Sequence, residues 1–222
     1  MTRPQRSRGM PKRSEREGGR GRGPLLIIGA VALVVLVAAV GAVLVTSSGP
    51  NVAQPAASVR VSGQTLPALD SSGTDAAIGQ RLPTLSGTGI DGDALTISAD
   101  GRAKVIVILA HWCPHCQAEL PRLVDWMSAN SVPDNVDIVA LTTSIQPTAT
   151  NYPPSAWLQR EGWTQPTLVD DASDTALNAL GIGSFPGFVF VGADGRVQQR
   201  LTGEVSMDQF GSIVAALSAL AG

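Results

Sequence analysis

The sequence predicts an α/β fold, a central mixed sheet flanked by helices, and three observations predict it. Lys104–Ala110 (KVIVILA) and Val136–Leu141 (VDIVAL) are short apolar runs of the kind that fill a strand buried on both faces. Between them Leu120, Leu123, Val124 and Met127 recur at i, i+3, i+4 and i+7, one core-facing stripe on a helix from about Pro114 to Ala129. Near the C-terminus Phe188–Val191 and Arg196–Leu201 flank the turn Ala193-Asp194-Gly195, which reads as a β-hairpin.

The remaining elements follow in chain order. Residues 1–23 carry eight basic side chains against Glu15 and Glu17, a net +6, in an Arg/Gly-rich stretch without hydrophobic period; this is a disordered basic tail. Residues after 23 carry eight basic and sixteen acidic groups, a net −8, which argues against nucleic-acid binding by the folded part. Leu25–Val45 contains no polar side chain over twenty-one residues. At about 1.5 Å per residue such a helix just crosses a hydrocarbon core of roughly 30 Å. Residues 24–45 are therefore expected to be a transmembrane helix or uncleaved signal anchor, with the basic tail cytoplasmic and the remainder extracytoplasmic. A cleaved signal peptide is the rival, with Thr46-Ser47-Ser48 as its cleavage neighbourhood, but signal cores usually run to about 15 residues. Both readings export the domain.

Residues 46–76, rich in Ser, Gly, Pro and Ala, read as a flexible linker, and 77–222 as the folded domain. Within it Ala94–Ser98 reads as a short strand after the Asp91-Gly92-Asp93 turn. The βαβ unit already described comes next. A Pro-rich loop then leads to a short helix over Pro153–Glu161, a strand at Thr167–Val169 and a helix over Ser173–Leu180. After the hairpin, Ser206 and Gln209 form a capping-box pattern opening a last helix, with Ile213, Val214, Leu217 and Leu220 on its apolar stripe. Asp170, Asp171 and Asp174 read as a solvated turn with a helix N-cap and no metal site. Trp157 and Trp163 read as packing residues.

The only two cysteines lie in His111-Trp112-Cys113-Pro114-His115-Cys116, between a buried strand and a helix. A structural disulfide there would close a tiny loop and stabilise little. A zinc site wants four ligands, and the chain offers two cysteines and two histidines. Haem attachment needs His after the second cysteine, where Gln117 stands. A redox pair accounts for more. Cys113 at a helix N-terminus meets unpaired N–H groups and the helix dipole, which favour a thiolate. Pro114 fits the first helical position, where its missing N–H is not needed. Cys116 is one turn away and able to resolve a mixed disulfide, and a protonated His115 would further favour the Cys113 thiolate.

These residues resemble the thioredoxin superfamily, and within it the TlpA/ResA-like extracytoplasmic thioredoxins. The resemblance spans about residues 78–220. It rests on the Trp-Cys-x-x-Cys motif after a buried strand, Pro121 eight residues beyond Cys113, Phe185-Pro186 ahead of the hairpin, Gly79-Gln80-Arg81-Leu82-Pro83 and the Asp91-Gly92 turn. It implies a thioredoxin fold in which Pro186 is cis and faces the cysteines, with Trp112, Phe185 and Pro186 contacting substrate. It also implies dithiol–disulfide exchange by Cys113 and Cys116 without metal or organic cofactor. The partners would be exported protein thiols and disulfides, plus a membrane redox partner that recycles the pair.

Val107 occupies the position, six residues before the first cysteine, where many thioredoxins place a buried Asp. Glu119, six residues after Cys113, matches the glutamate that TlpA/ResA-like proteins place near the pair, and if buried it could take the proton of Cys116. Its plainer alternative is a solvated helix residue. No role is assigned to His111. Glu119 and the anchored layout lean towards a reductase, whereas Cys-Pro-His-Cys is the dipeptide context of oxidising DsbA-like proteins, so the direction stays open. Rival functions are an extracytoplasmic copper carrier of thioredoxin fold and a peroxidase. Copper carriers usually have a three-residue spacer and a distant His. A peroxidase needs Thr-x-x-Cys, where Ala110 stands.

Overall fold

Seven consecutive residues, Ala103–Leu109, form strand β4, and every one of them is buried. Only a central strand with both faces covered tolerates such a run. A computed structural model of the protein describes residues 57–70 and 73–220. The basic tail, the apolar span at 25–45 and the first part of the linker lie outside the described residues. Among those described, no helix is long and apolar enough to cross a membrane.

The chain order is β1 (Arg60–Ser62), β2 (Thr84–Thr88), β3 (Ala94–Ile97), β4, α1 (Pro114–Ala129), β5 (Val136–Thr142), α2 (Pro154–Arg160), β6 (Thr167–Val169), α3 (Thr175–Leu180), β7 (Gly187–Val191), β8 (Val197–Thr202) and α4 (Met207–Leu220). Strands β1-β2-β3 make a small antiparallel sheet, and the main sheet runs β6-β5-β4-β7-β8. β4, β5 and β6 are parallel, while β7 and β8 run antiparallel to their neighbours. Val105 pairs with Ile138 on one side and Phe190 on the other, so β4 is the centre of the sheet.

Alternation along β4 divides the core. Val105, Val107 and Leu109 face the layer built by α1 and α4, with Leu120, Leu123, Phe188, Phe190, Phe210 and both cysteines. Ile106 and Ile108 face the other layer, with Leu85, Ile97, Leu141, Leu177 and Leu180. Phe210 stands edge-on to Trp126 at 5.0 Å, holding α4 against α1.

Two expectations change. The linker reading does not hold for the described residues before 77: Arg60–Ser62 pair with Thr84–Ser86 as strand, and Leu66 is buried. Three residues of strand flanked by Ser, Gly and Pro carry no legible period, and their stability comes from what they cover. The aspartate group is not a solvated turn. Asp170 is 2% exposed and accepts hydrogen bonds from Thr143 Oγ1 and from the backbone N–H groups of Asp171, Ala176 and Leu177. Asp174, at the N-cap of α3, makes no capping bond; it instead receives Ser144 N–H at 2.8 Å and the hydroxyls of Thr143 and Ser144. Burial raises the proton affinity of Asp170, and its three backbone donors and Thr143 oppose that shift.

Candidate active site

The site forms where β4 ends and α1 begins. Cys113 is the N-cap of α1, extended at φ −75 and ψ 122, with Pro114 behind it inside the first turn. The Cys113 carbonyl accepts from Gln117 N–H at 3.1 Å, so the helical ladder starts at the nucleophile itself. Cys113 is 7% exposed and Cys116 fully buried, and both are free thiols. One sulfur thus belongs to a residue with slight exposure, and the other is closed off completely.

Cys116 Sγ accepts Ala110 N–H at 3.4 Å. Burial pushes its thiol far up; the Ala110 N–H opposes that shift, while Cys113 and the charge of Glu119 add to it. A buried thiol of this kind does not ionise unaided at neutral pH. Glu119, one turn further along the same helix, is also completely buried. Its Oε1 accepts Val205 N–H at 3.0 Å. Its Oε2 makes no hydrogen bond, although Arg122 Nη1 lies 3.0 Å away; the contact is an ion pair without hydrogen-bond alignment. Burial raises the proton affinity of Glu119, the Val205 N–H and then Arg122 lower it, and Glu204 raises it again.

The proline loop closes the other side. The Phe185–Pro186 bond is cis. The Cys113 thiol points at the Phe185 carbonyl, 3.9 Å away. Pro186 O accepts Gly203 N–H at 2.8 Å, tying the loop to the end of β8. Phe185 stands edge-on to Trp112, with centroids 6.1 Å apart.

His115 is two-thirds exposed, and its Nδ1 lies 2.7 Å from Glu204 Oε1. Val107 faces the same layer as the cysteines, so an aliphatic group occupies the place beneath them. Among the described residues no cluster of three or more His, Cys, Asp or Glu could hold a metal ion.

Three further residues shape the site. His111 is fully buried, with Nδ1 2.7 Å from Thr150 O and Nε2 facing Gln146 N–H at 3.1 Å. A carbonyl must accept and an N–H must donate, so the ring is neutral with its proton on Nδ1. Trp112 Nε1 donates to Ser144 O at 2.7 Å. The loop from Ser144 to Pro153 is therefore strapped to the residues just before the nucleophile. Arg122 could have been found from sequence, three residues after Glu119 on one helix face. Glu204 could not, because it arrives from a loop far along the chain.

Fold and site together define a thioredoxin-fold protein with a vicinal thiol pair at a helix N-terminus. The Redoxin family matches residues 77–217, more than half of the chain, and the chain belongs to this family. It is similar to a solved thiol:disulfide interchange protein of the thioredoxin family from Chlorobium tepidum TLS, at 22% identity and TM-score 0.53 over 65% of this chain and 97% of that one. It is also similar to DsbF from MTB, at 24% identity and TM-score 0.50 over 60% and 93% of the two chains. A third likeness is to the thioredoxin domain of a thiol-disulfide oxidoreductase from Bacteroides vulgatus, at 16% identity and TM-score 0.50 over 64% and 98%. Likeness at these identities establishes the shared fold. No curated protein sequence matches the chain.

Proposed function

We propose that the chain is a membrane-anchored thiol–disulfide oxidoreductase of the TlpA/ResA-like kind, exchanging disulfides with exported proteins through Cys113 and Cys116. The observation that carries this reading is the pairing of a helix-capping sulfur aimed at the Phe185 carbonyl with a second, buried sulfur one turn below. Membership of the Redoxin family supports it, as do the names of the similar structures, a thiol:disulfide interchange protein and a thiol-disulfide oxidoreductase.

In the reducing direction the Cys113 thiolate attacks one sulfur of a substrate disulfide, the S–S bond breaks, and the other substrate sulfur leaves as thiolate. Cys116 then loses its proton to the Glu119 carboxylate and attacks Cys113 Sγ. The Cys113–Cys116 disulfide forms, the second substrate sulfur leaves, and the two departing thiolates take up protons. The substrate gains two electrons and the pair loses two. Oxidation is the same path reversed, and a membrane redox partner resets the pair. Trp112, Phe185 and Pro186 provide the rim on which a polypeptide docks. The direction stays open: Glu119 and the anchored layout lean towards reduction, whereas the Cys-Pro-His-Cys dipeptide is that of oxidising proteins, and the potential of the pair decides.

Insulin-disulfide reduction by the purified chain tests the reading. Cys113→Ser is expected to abolish turnover, and Cys116→Ser to retain the first attack while trapping the mixed disulfide. A pair potential near that of thioredoxin, about −270 mV, supports the reductase, and one near −120 mV makes it an oxidant. Stoichiometric Cu(I) binding without turnover would instead favour a metal carrier.

A further inference from the structure

The resolving step needs a base for Cys116, and the structure surrounds that base with an arrangement the exchange chemistry alone does not require. Glu119 Oε2 is an acceptor atom fully shut off from water with no hydrogen bond. Arg122 Nη1 sits 3.0 Å from it and 3.1 Å from Glu204 Oε2. Glu204 Oε1 in turn pairs with His115 Nδ1 at 2.7 Å. The same guanidinium donates through Nη2 to Val205 O, while Val205 N–H donates to Glu119 Oε1. The backbone of Val205 is thus held at its N–H by the base and at its carbonyl by the base's counter-ion. A chain of paired groups runs from the exposed dipeptide histidine to the buried carboxylate, and one nitrogen, Arg122 Nη1, is shared by two carboxylates.

We propose that Arg122 and Glu204 are positioning residues for the resolving step. Arg122 holds Glu119 as an available carboxylate beneath Cys116, and Glu204 sets how much of the Arg122 charge Glu119 receives. The inference rests on the exchange reaction proposed above and concerns only its second half. The groups whose charge acts on Glu119 are Arg122 from α1 and Glu204 from the β8–α4 loop; Cys116 is the thiol it serves, and His115 acts through Glu204. Gly203, whose φ of 83 suits glycine, turns this loop so that Glu204 faces Arg122 while Gly203 N–H still reaches Pro186 O. The substrate-facing proline and the proton acceptor are therefore held by three consecutive residues of one loop.

The signs of the two perturbations are opposite, which makes the idea testable. Resolution needs Glu119 ionised, so its rate rises with pH as Glu119 loses its proton. Removing the Arg122 cation favours the neutral carboxyl and moves that rise to higher pH. Removing the Glu204 anion leaves Arg122 wholly to Glu119 and moves the rise to lower pH. Each shift is expected to be modest, about half a pH unit, because both partners are partly exposed and screened.

The experiment uses the full reduced chain with 5,5′-dithiobis(2-nitrobenzoate), followed by stopped flow from pH 4.5 to 9. Attack by Cys113 releases one nitrothiobenzoate and leaves the other on its sulfur; attack by Cys116 breaks that bond and releases the second. The second phase is expected to shift upward in pH for Arg122→Gln and downward for Glu204→Gln. Arg122→Lys, which keeps the cation and loses the fork, is expected to stay near the parent, and Glu119→Gln to remove the limb. Shifts in the same direction, or none, would overturn the proposal, as would a Glu119→Gln profile identical to the parent. A general loss of stability slows both phases and cannot produce shifts of opposite sign. The first phase reports separately on the exchange reaction: its absence in the parent chain would refute the proposed function itself.

Discussion

His111 shows how one side chain beside a nucleophile can serve geometry rather than chemistry. Its neutral ring receives Gln146 N–H and donates to Thr150 O, and its carbonyl accepts from Gln117 and Asn151. Burial holds its proton affinity below the ordinary histidine value, against the opposing Thr150 bond. In the unfolded chain it titrates near 6.5. The unfolded state therefore binds the proton more readily, and the His111 contribution is complete above about pH 6.5 and declines as pH falls below it. The slope cannot exceed about 1.4 kcal/mol per pH unit for one proton. Urea unfolding between pH 7.5 and 5 should show the parent losing stability faster than His111→Gln, which carries no titrating group there. Equal slopes would mean that folding does not lower the proton affinity of His111, so that the Gln146 N–H bond to Nε2, which a protonated ring cannot accept, is not what holds the ring neutral. The other buried titrating groups, Glu119 and Asp170, have raised proton affinities and contribute the opposite slope, which the comparison of the two proteins cancels.

At the scale of elements, the strength of a reading follows how local its cause is. β4, α1 and β5 are legible because apolar period and length settle them without reference to anything distant, and α1 starts and ends at Pro114 and Ala129 as the stripe predicts. The motif was legible for the same reason: Cys113, Pro114 and Cys116 explain one another over one helical turn. β1 and β2 were not, since neither has an alternation of its own and β1 depends on pairing with β2 as β2 does on β3. The aspartates at 170 and 174 misled because composition reports polarity, whereas their burial is caused by Thr143, Ser144 and the first turn of α3. The segment before β2 is held by another long-range cause. The Arg200 side chain on β8 is fully buried against Asp75 and donates to the carbonyls of Pro67 and Leu180. The Arg200 hydrogen bond is the largest influence on Asp75 and keeps its carboxyl below the usual range despite partial burial. Truncating one member of a buried pair leaves the other uncompensated, typically at about 3–5 kcal/mol. Arg200→Ala is expected to lower unfolding stability by that order in urea titrations. It should also expose the chain before β2 to proteolysis, while Arg102→Ala, at the exposed pair with Asp137, should leave stability nearly unchanged.

For the whole molecule the governing feature is charge and hydropathy along the chain, +6 over residues 1–23, an apolar stretch over 25–45 and −8 beyond. The proposed cytoplasmic placement of the tail rests on the positive-inside tendency applied to this asymmetry. If residues 25–45 remain as an anchor, the full chain expressed in bacteria should stay in the membrane pellet after alkaline carbonate extraction and keep its full mass. A cleaved signal would release a soluble species shorter by about 45 residues. Placing Lys at the middle of the stretch, Val35→Lys, costs roughly 2.5–3.5 kcal/mol for insertion, so if the stretch is an anchor the retained fraction is expected to fall. The same variant is expected to leave the dithiol potential unchanged, since the cysteines belong to a domain with its own core. Labelling of intact cells with a membrane-impermeant maleimide then decides the side. Reduced Cys113 should react in the parent chain, and labelling that appears only after lysis would place the site in the cytoplasm and remove exported proteins as its substrates.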